Sequence, residues 1–183
     1  MVAKLSGKRV LLVIAPEQFR DEELLKPKEV FLSEGASVTI AACRLGEAKG
    51  MFGTTIKPDL LLSDVKYEDY DACVVVGGMG SPAHLWADSK LHTILQSLYK
   101  SNKVVAAICL SGAVLAKAGV LKGKKATVWA MPESLAALAE GGANYVKEHV
   151  VRDGLVVTAD GPEAAGKFAQ SVVEAIASVP ARA

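Results

Sequence analysis

Cysteine is scarce and scattered in this chain. Cys43, Cys73 and Cys109 are odd in number and far apart, and no CxxC pair occurs. That spacing argues for reduced thiols and against a disulfide framework or a thiolate-bound metal. Histidine is equally rare, with three residues, and the acidic stretch from Asp21 to Glu34 holds none that would complete a metal-ligand group. No metal is therefore expected. No apolar run approaches the roughly 20 residues that a bilayer span needs. Met1 to Arg9 lacks the apolar core and cleavage site of a signal peptide, so a cytoplasmic protein without a membrane partner is expected. The net charge is only +1 and no basic patch dominates, which disfavours nucleic acid as a partner. Internal repeats, linkers and low-complexity tracts are absent. Apolar residues are abundant, at 51% of 183, enough for one domain, 1–183, with a sizeable core.

The apolar residues come in short continuous runs, as in parallel strands buried on both faces. Arg9 to Ile14, Ser37 to Ala42, Ala72 to Val76 and Val104 to Ile108 read as such strands. Ala15 to Arg20 reads as a loop. A helix is expected from Asp21 to Glu34, opened by acidic residues that suit a helix N-terminus and closed at Gly35. Pro27 should bend or restart it and leave Glu23 on a locally irregular turn, because proline clashes with the carbonyl four residues back. Leu45 to Pro58 is irregular, with room for a short hairpin. Asp88 can cap a helix from Ser89 to Lys100. Ala126 to Trp129 reads as a short strand, and Pro132 suits the first turn of a helix that ends at Gly141-Gly142. Tyr145 to Arg152 and Leu155 to Thr158 flank Asp153-Gly154, a hairpin signal. Asp160 or Gly161 should cap a last helix from Pro162 to about Ser178. Alternating strands and helices imply an α/β fold. It is a doubly wound, mostly parallel sheet with helices on both faces, a flavodoxin-like sandwich, plus a β-hairpin.

The stretch Val104 to Gly112 carries the strongest chemical signal. Five apolar residues run into Cys109, small residues flank it at Ala107 and Ser111, and helix formers follow from Ala113 to Ala118, with Gly119 as C-cap. A sharp strand-to-helix turn of this kind is the logic of a nucleophile elbow, with Cys in place of Ser. Unpaired N–H groups at a helix N-terminus should make the thiol easier to ionise. Read blandly, Cys109 is a small buried residue ending a strand. Gly77-Gly78 is either a tight turn or a source of an exposed N–H at Gly78, which with the N–H of Leu110 would form an oxyanion hole. Glu23 is either a surface capping carboxylate or a partner of the Cys109 sulfur. The second role needs a protonated carboxyl, its pKa raised by burial. His84, His92 and His149 fall on a loop, a helix and the hairpin and read as surface or packing residues. His84 is the best placed of them, close after Gly78. Trp86 and Trp129 read as packing residues before pocket walls, although His84 and Trp129 are kept as possible pocket residues. Cys43 and Cys73 look like buried strand residues.

The sequence resembles the DJ-1/PfpI superfamily, with its class I glutamine-amidotransferase-like fold. The similarity rests on Glu23 four residues before Pro27, Val74-Val75-Val76-Gly77-Gly78, Ala106-Ala107-Ile108-Cys109, Leu121-Lys122-Gly123-Lys124, and Val151-Arg152-Asp153-Gly154 with Gly161-Pro162. The resemblance implies a reactive cysteine at Cys109, an acidic partner at Glu23, oxyanion-type backbone groups at Gly78 and Leu110, and a homodimer or higher homo-oligomer. The segment Leu45 to Pro58 and the residues near His84 are candidate contacts between copies. Many PfpI-type members carry histidine directly after the cysteine, where this chain has Leu110. DJ-1-type members commonly carry one about twenty residues later, which falls near Trp129. A glutamate that some PfpI-type members carry after the Gly-Gly turn falls on Ala83.

The resemblance, taken with these residues, implies a cysteine-dependent, cofactor-independent glyoxalase- or deglycase-type enzyme acting on small α-oxoaldehydes, with methylglyoxal going to lactate. The alternative is a non-enzymatic oxidative-stress sensor or chaperone-like protein that uses Cys109 oxidation. A peptidase or amidase ranks below both, because no histidine follows Cys109.

Overall fold

The structure is a computed structural model that describes residues 2–180. Its strands are β1 (Arg9–Val13), β2 (Glu17–Phe19), β3 (Ser37–Ala42), β4 (Ala48–Gly50), β5 (Thr55–Ile56), β6 (Leu60–Leu61), β7 (Ala72–Val75), β8 (Val104–Ile108), β9 (Lys125–Ala126), β10 (Asn144–Tyr145), β11 (Val150–Asp153) and β12 (Val156–Ala159). The helices are α1 (Asp21–Ser33), α2 (Ser81–His84), α3 (Ser89–Lys100), α4 (Gly112–Lys117), α5 (Pro132–Glu140) and α6 (Ala165–Ser178).

Seven strands form the central sheet in the order β11-β12-β8-β7-β1-β3-β6. Every pairing in it is parallel except β11 with β12. Alternate residues of β1, β7 and β8 feed two separate cores, as a pleated strand requires. Leu12, Val74 and Ala106 face one core with Phe31 of α1 and Phe168 of α6. Leu11, Val75 and Ala107 face the other with Leu95 of α3 and Leu115 of α4. Both faces are covered, which explains why the strands read as unbroken apolar runs and not as alternations. The doubly wound fold expected from the sequence is the one observed.

Several local expectations are corrected. The segment Ala15 to Arg20 is not wholly a loop, because β2 pairs with β4, and β4 with β5, in a small second sheet. The hairpin foreseen within Leu45 to Pro58 is the β4–β5 pair. Helix α1 runs unbroken through Pro27. Pro27 has no N–H to give to the ladder, and burial of Leu24, Pro27 and Phe31 holds the helix together. The strand expected over Ala126 to Trp129 is limited to Lys125–Ala126. It pairs with β10, so Tyr145 and Val150 belong to different strands. The hairpin turn is shifted by one residue: Asp153 pairs with Val156, leaving Gly154 and Leu155 in the turn. That hairpin is the edge of the main sheet and not an appendage. Neither Asp160 nor Gly161 caps α6, which begins after a 3-10 turn at Pro162–Ala164. Cys43 is not in a strand. It is exposed just beyond β3, whereas Cys73 is buried in β7.

Candidate functional site

The carboxyl ends of β1, β7 and β8 open on one edge of the sheet. The chain leaves β1 for β3 on one side, while β7 and β8 lie on the other, so this edge is a topological switch point, where such sheets bind ligands. Glu23, Gly77-Gly78 and Cys109 all follow strands that end here.

Cys109 has φ +60°, a left-handed conformation unusual for a side-chain-bearing residue. The turn is held by a buried hydroxyl chain. Ser111 Oγ donates to Val76 O at 2.7 Å, so Ser81 supplies the hydrogen for the 2.7 Å contact between the two hydroxyls. Trp86 Nε1 donates to Leu110 O at 3.0 Å, and the Trp129 N–H donates to Cys109 O at 3.2 Å. Strain at a residue held this firmly is a common feature of functional sites.

Two backbone donors converge on the sulfur, the N–H groups of Leu110 and Gly78. Gly78 has φ +111°, and a β-carbon there would collide with the backbone at Gln18 and Arg20. The Arg20 N–H donates to Gly77 O at 2.9 Å, which stitches the start of α1 to this turn. A β-carbon on Gly77 would lie 2.5 Å from Glu23 Oε1 and 2.6 Å from Cys109 Cβ. The bare glycine thus leaves the space in which carboxyl and cysteine meet.

Glu23 is fully buried. Its Oε1 accepts the Gly77 N–H at 3.1 Å. Among the described residues Oε2 has no well-directed hydrogen bond, and the Cys109 thiol is the polar side chain that interacts with the carboxyl. Burial raises its pKa from 4.5 to about 8, against the opposing pull of Cys109, the Gly77 N–H and the charge of Arg20. The expectation that the turn would make Cys109 easier to ionise is corrected. Burial first, and the Glu23 charge second, push the thiol up to about 12, and the N–H groups of Leu110 and Gly78 offset only part of that. The physical consequence is a coupled pair. With one proton between them, that proton sits on sulfur while Glu23 is ionised. If it moves to the carboxyl, the repulsion vanishes and a thiolate remains facing two N–H donors.

Above the sulfur lies a cavity of about 170 Å³, lined by Arg20, Met51, Gly78, Met79, Cys109, Leu110, Trp129 and Pro162. Arg20, Trp129 and Pro162 also line an outer cavity of about 490 Å³ that includes Glu22, His149 and Asp160. Trp129 is half exposed and forms a wall common to both. His84 ends the short helix α2, not a loop, and lines neither cavity. Sequence reasoning passed over Arg20, the two methionines and the His149–Asp160 pair at 3.0 Å. Their partners lie far along the chain, and no local pattern links them. No group of His, Cys, Asp or Glu among the described residues is arranged to hold a metal ion.

A parallel α/β sheet with a strained cysteine turn at its carboxyl edge defines the class. The chain belongs to the DJ-1/PfpI family, whose model matches residues 8–175. An uncharacterized protein of Methanocaldococcus jannaschii is 48% identical over 92% of this chain and 82% of its own. A relative from Pyrococcus horikoshii named as a deglycase is 33% identical over 79% of this chain and 85% of its own. A Caenorhabditis elegans relative named as a glutathione-independent glyoxalase is 28% identical over 92% and 89%. Among solved structures, a ThiJ/PfpI domain protein from Brachyspira murdochii superposes with a TM-score of 0.88 at 31% identity, covering 94% of this chain and 98% of that one.

Proposed function

We propose that this protein is a cysteine-dependent enzyme of the glyoxalase/deglycase type that converts small α-oxoaldehydes to 2-hydroxy acids. The observation that carries the reading is the buried Glu23 carboxyl against Cys109, a cavity-lining cysteine whose sulfur meets two N–H groups. The names of the Pyrococcus and Caenorhabditis relatives support the same chemistry. Transfer of the shared proton to Glu23 leaves the Cys109 thiolate, which adds to the aldehyde carbon. The carbonyl electron pair moves to oxygen, held by the N–H groups of Gly78 and Leu110 and protonated by Glu23. The Glu23 carboxylate then takes the proton from the former aldehyde carbon and returns it to the neighbouring carbon, while the hydroxyl proton passes from the former aldehyde oxygen to the former ketone oxygen, giving a thioester of the hydroxy acid. Water attacks that thioester, the C–S bond breaks, and the acid leaves. One water is consumed, and no external oxidant or reductant is needed.

Lactate formation from methylglyoxal, without glutathione or added metal, tests this. Cys109→Ala should abolish it, and Glu23→Gln should lower it by about 10²-fold or more, the usual worth of general acid–base help. Wild-type lactate at the buffer rate would sink the enzyme reading.

The unpartnered Oε2 of Glu23 favours a second reading, a sensor of oxidation. A protonated Glu23 would donate to an oxygen added to the Cys109 sulfur and stabilise the sulfinic acid. Peroxide titration followed by mass spectrometry should give less sulfinate in Glu23→Ala than in wild type. Equal yields would remove Glu23 from that role.

A further inference from the structure

An α-oxoaldehyde carries two oxygens, and in the reaction proposed above the N–H groups of Gly78 and Leu110 hold one. Moving a proton between the two carbons puts negative charge on the second oxygen as well. The inner cavity is mostly apolar around it, with Met51, Met79, Leu110, Trp129 and Pro162 on its walls. Arg20 is the one permanently charged side chain among its lining residues.

Arg20 is held in place from three directions. It is the N-cap of α1, and its own N–H is bound to Gly77 O at 2.9 Å. Its Nε donates to Glu22 Oε2 at 2.5 Å. Its guanidinium carbon lies 4.5 Å over the Phe52 ring, a cation–π contact. Phe52 is itself anchored, because the neighbouring carboxylate of Asp21 accepts the N–H groups of Phe52 at 2.8 Å and Thr54 at 2.9 Å. Glu22 occupies only Nε. Among the described residues nothing accepts from the two terminal NH₂ groups. A guanidinium with its stem and Nε fixed and its terminal donors open is built to bind oxygen in a planar, two-pronged manner.

We propose that Arg20 is a substrate-binding residue that holds the ketone oxygen of the α-oxoaldehyde, and so selects 1,2-dicarbonyl compounds over simple aldehydes. This rests on the α-oxoaldehyde reading above. Charge elsewhere around Arg20 comes from the buried Glu23 and from Glu22, Glu163 and the His149–Asp160 pair of the outer cavity, none of which lines the inner one.

The test has two arms. In the first, kcat/KM for methylglyoxal is compared in wild type, Arg20→Gln and Arg20→Lys. In the second, the rates at which iodoacetate and iodoacetamide alkylate Cys109 are measured in the same three proteins. The two reagents attack the same sulfur, so a merely structural change at Arg20 alters both rates and leaves their ratio alone. An oxyanion-binding guanidinium favours iodoacetate. The iodoacetate-to-iodoacetamide ratio should fall about tenfold in Arg20→Gln, as expected for one charge-assisted hydrogen bond, with Arg20→Lys between. Methylglyoxal kcat/KM should fall by about tenfold or more alongside it. An unchanged ratio, or an unchanged kcat/KM in an active enzyme, overturns the assignment. If wild type turns over no methylglyoxal, the functional reading fails while the alkylation ratio still decides whether Arg20 binds an oxyanion beside Cys109.

Discussion

Arg20, Asp21, Glu22 and Glu23 are four successive residues with four different surroundings. Asp21 accepts two loop N–H groups, which help hold its carboxyl below the usual range although burial pushes the other way. Glu22 fixes Arg20, and Glu23 turns inward to Cys109. Burying Glu23 has a thermodynamic consequence. Its folded pKa of about 8 lies above the ordinary 4.5, so folding favours the protonated acid. That contribution is complete below pH 4.5 and is lost as pH rises through about 8. Glu23→Gln removes the titrating group, so the melting temperature of wild type should fall relative to that of Glu23→Gln as pH rises from about 5 to 8. Parallel melting curves across that range would mean that Glu23 is not buried as an acid. Among the thiols, limited alkylation should mark the exposed Cys43 and the cavity-lining Cys109, and spare Cys73 until the protein unfolds. Early labelling of Cys73 would contradict its burial in β7.

At the scale of elements, the site depends on how the end of β7 is fastened to the turn after β8. Ser111→Ala removes the donor to Val76 O and leaves the Ser81 hydroxyl without its acceptor in a buried place. The expected loss is about 1–3 kcal/mol of stability, with lower methylglyoxal turnover because the Cys109 turn loosens. Chemical denaturation would read the first effect, and an unchanged midpoint would show that the hydroxyl chain holds nothing. The main strands were legible in the sequence because each is a continuous apolar run, and the helices because acidic openings, prolines and glycines mark their ends. The Cys109 turn and the Gly77-Gly78 turn could be read for the same reason, since each directly follows such a run, whereas Glu23 was reached through the acidic opening of α1 and the family resemblance. Of the small sheet, the β4–β5 hairpin was foreseen but β2 and its pairing with β4 were not, because a strand of three residues carries no periodicity. Cys43 was misjudged by one residue at the end of β3. The Arg20–Phe52 contact and the His149–Asp160 pair were invisible because tertiary packing alone brings them together. The direction of the Cys109 shift depends on burial and on a neighbouring carboxyl, and burial outweighs the local N–H groups.

At the scale of the whole molecule, the sheet faces are fully covered, and no helix among the described residues is long and apolar enough to cross a membrane. Apolar side chains remain exposed near the mouth of the cavity, Phe52 at 66% and Met79 at 54%. Together with the family resemblance, they lead us to propose self-association through this region, as a dimer. Light scattering at micromolar concentration should report twice the chain mass, and a monomer would contradict the proposal. The central claim is that one proton shared by Glu23 and Cys109 controls carbonyl chemistry at the switch point. Below pH 8 the pair holds two protons and offers no thiolate. Losing the first, at about 8, leaves the one-proton form with the proton on sulfur, and its transfer to Glu23 gives the thiolate beside a protonated carboxyl. The pH dependence of kcat/KM for lactate formation from methylglyoxal tests this most directly. The account predicts a rise centred near pH 8 in wild type, absent in Cys109→Ala and displaced in Glu23→Gln. A flat profile, or the same profile in wild type and Glu23→Gln, would contradict it.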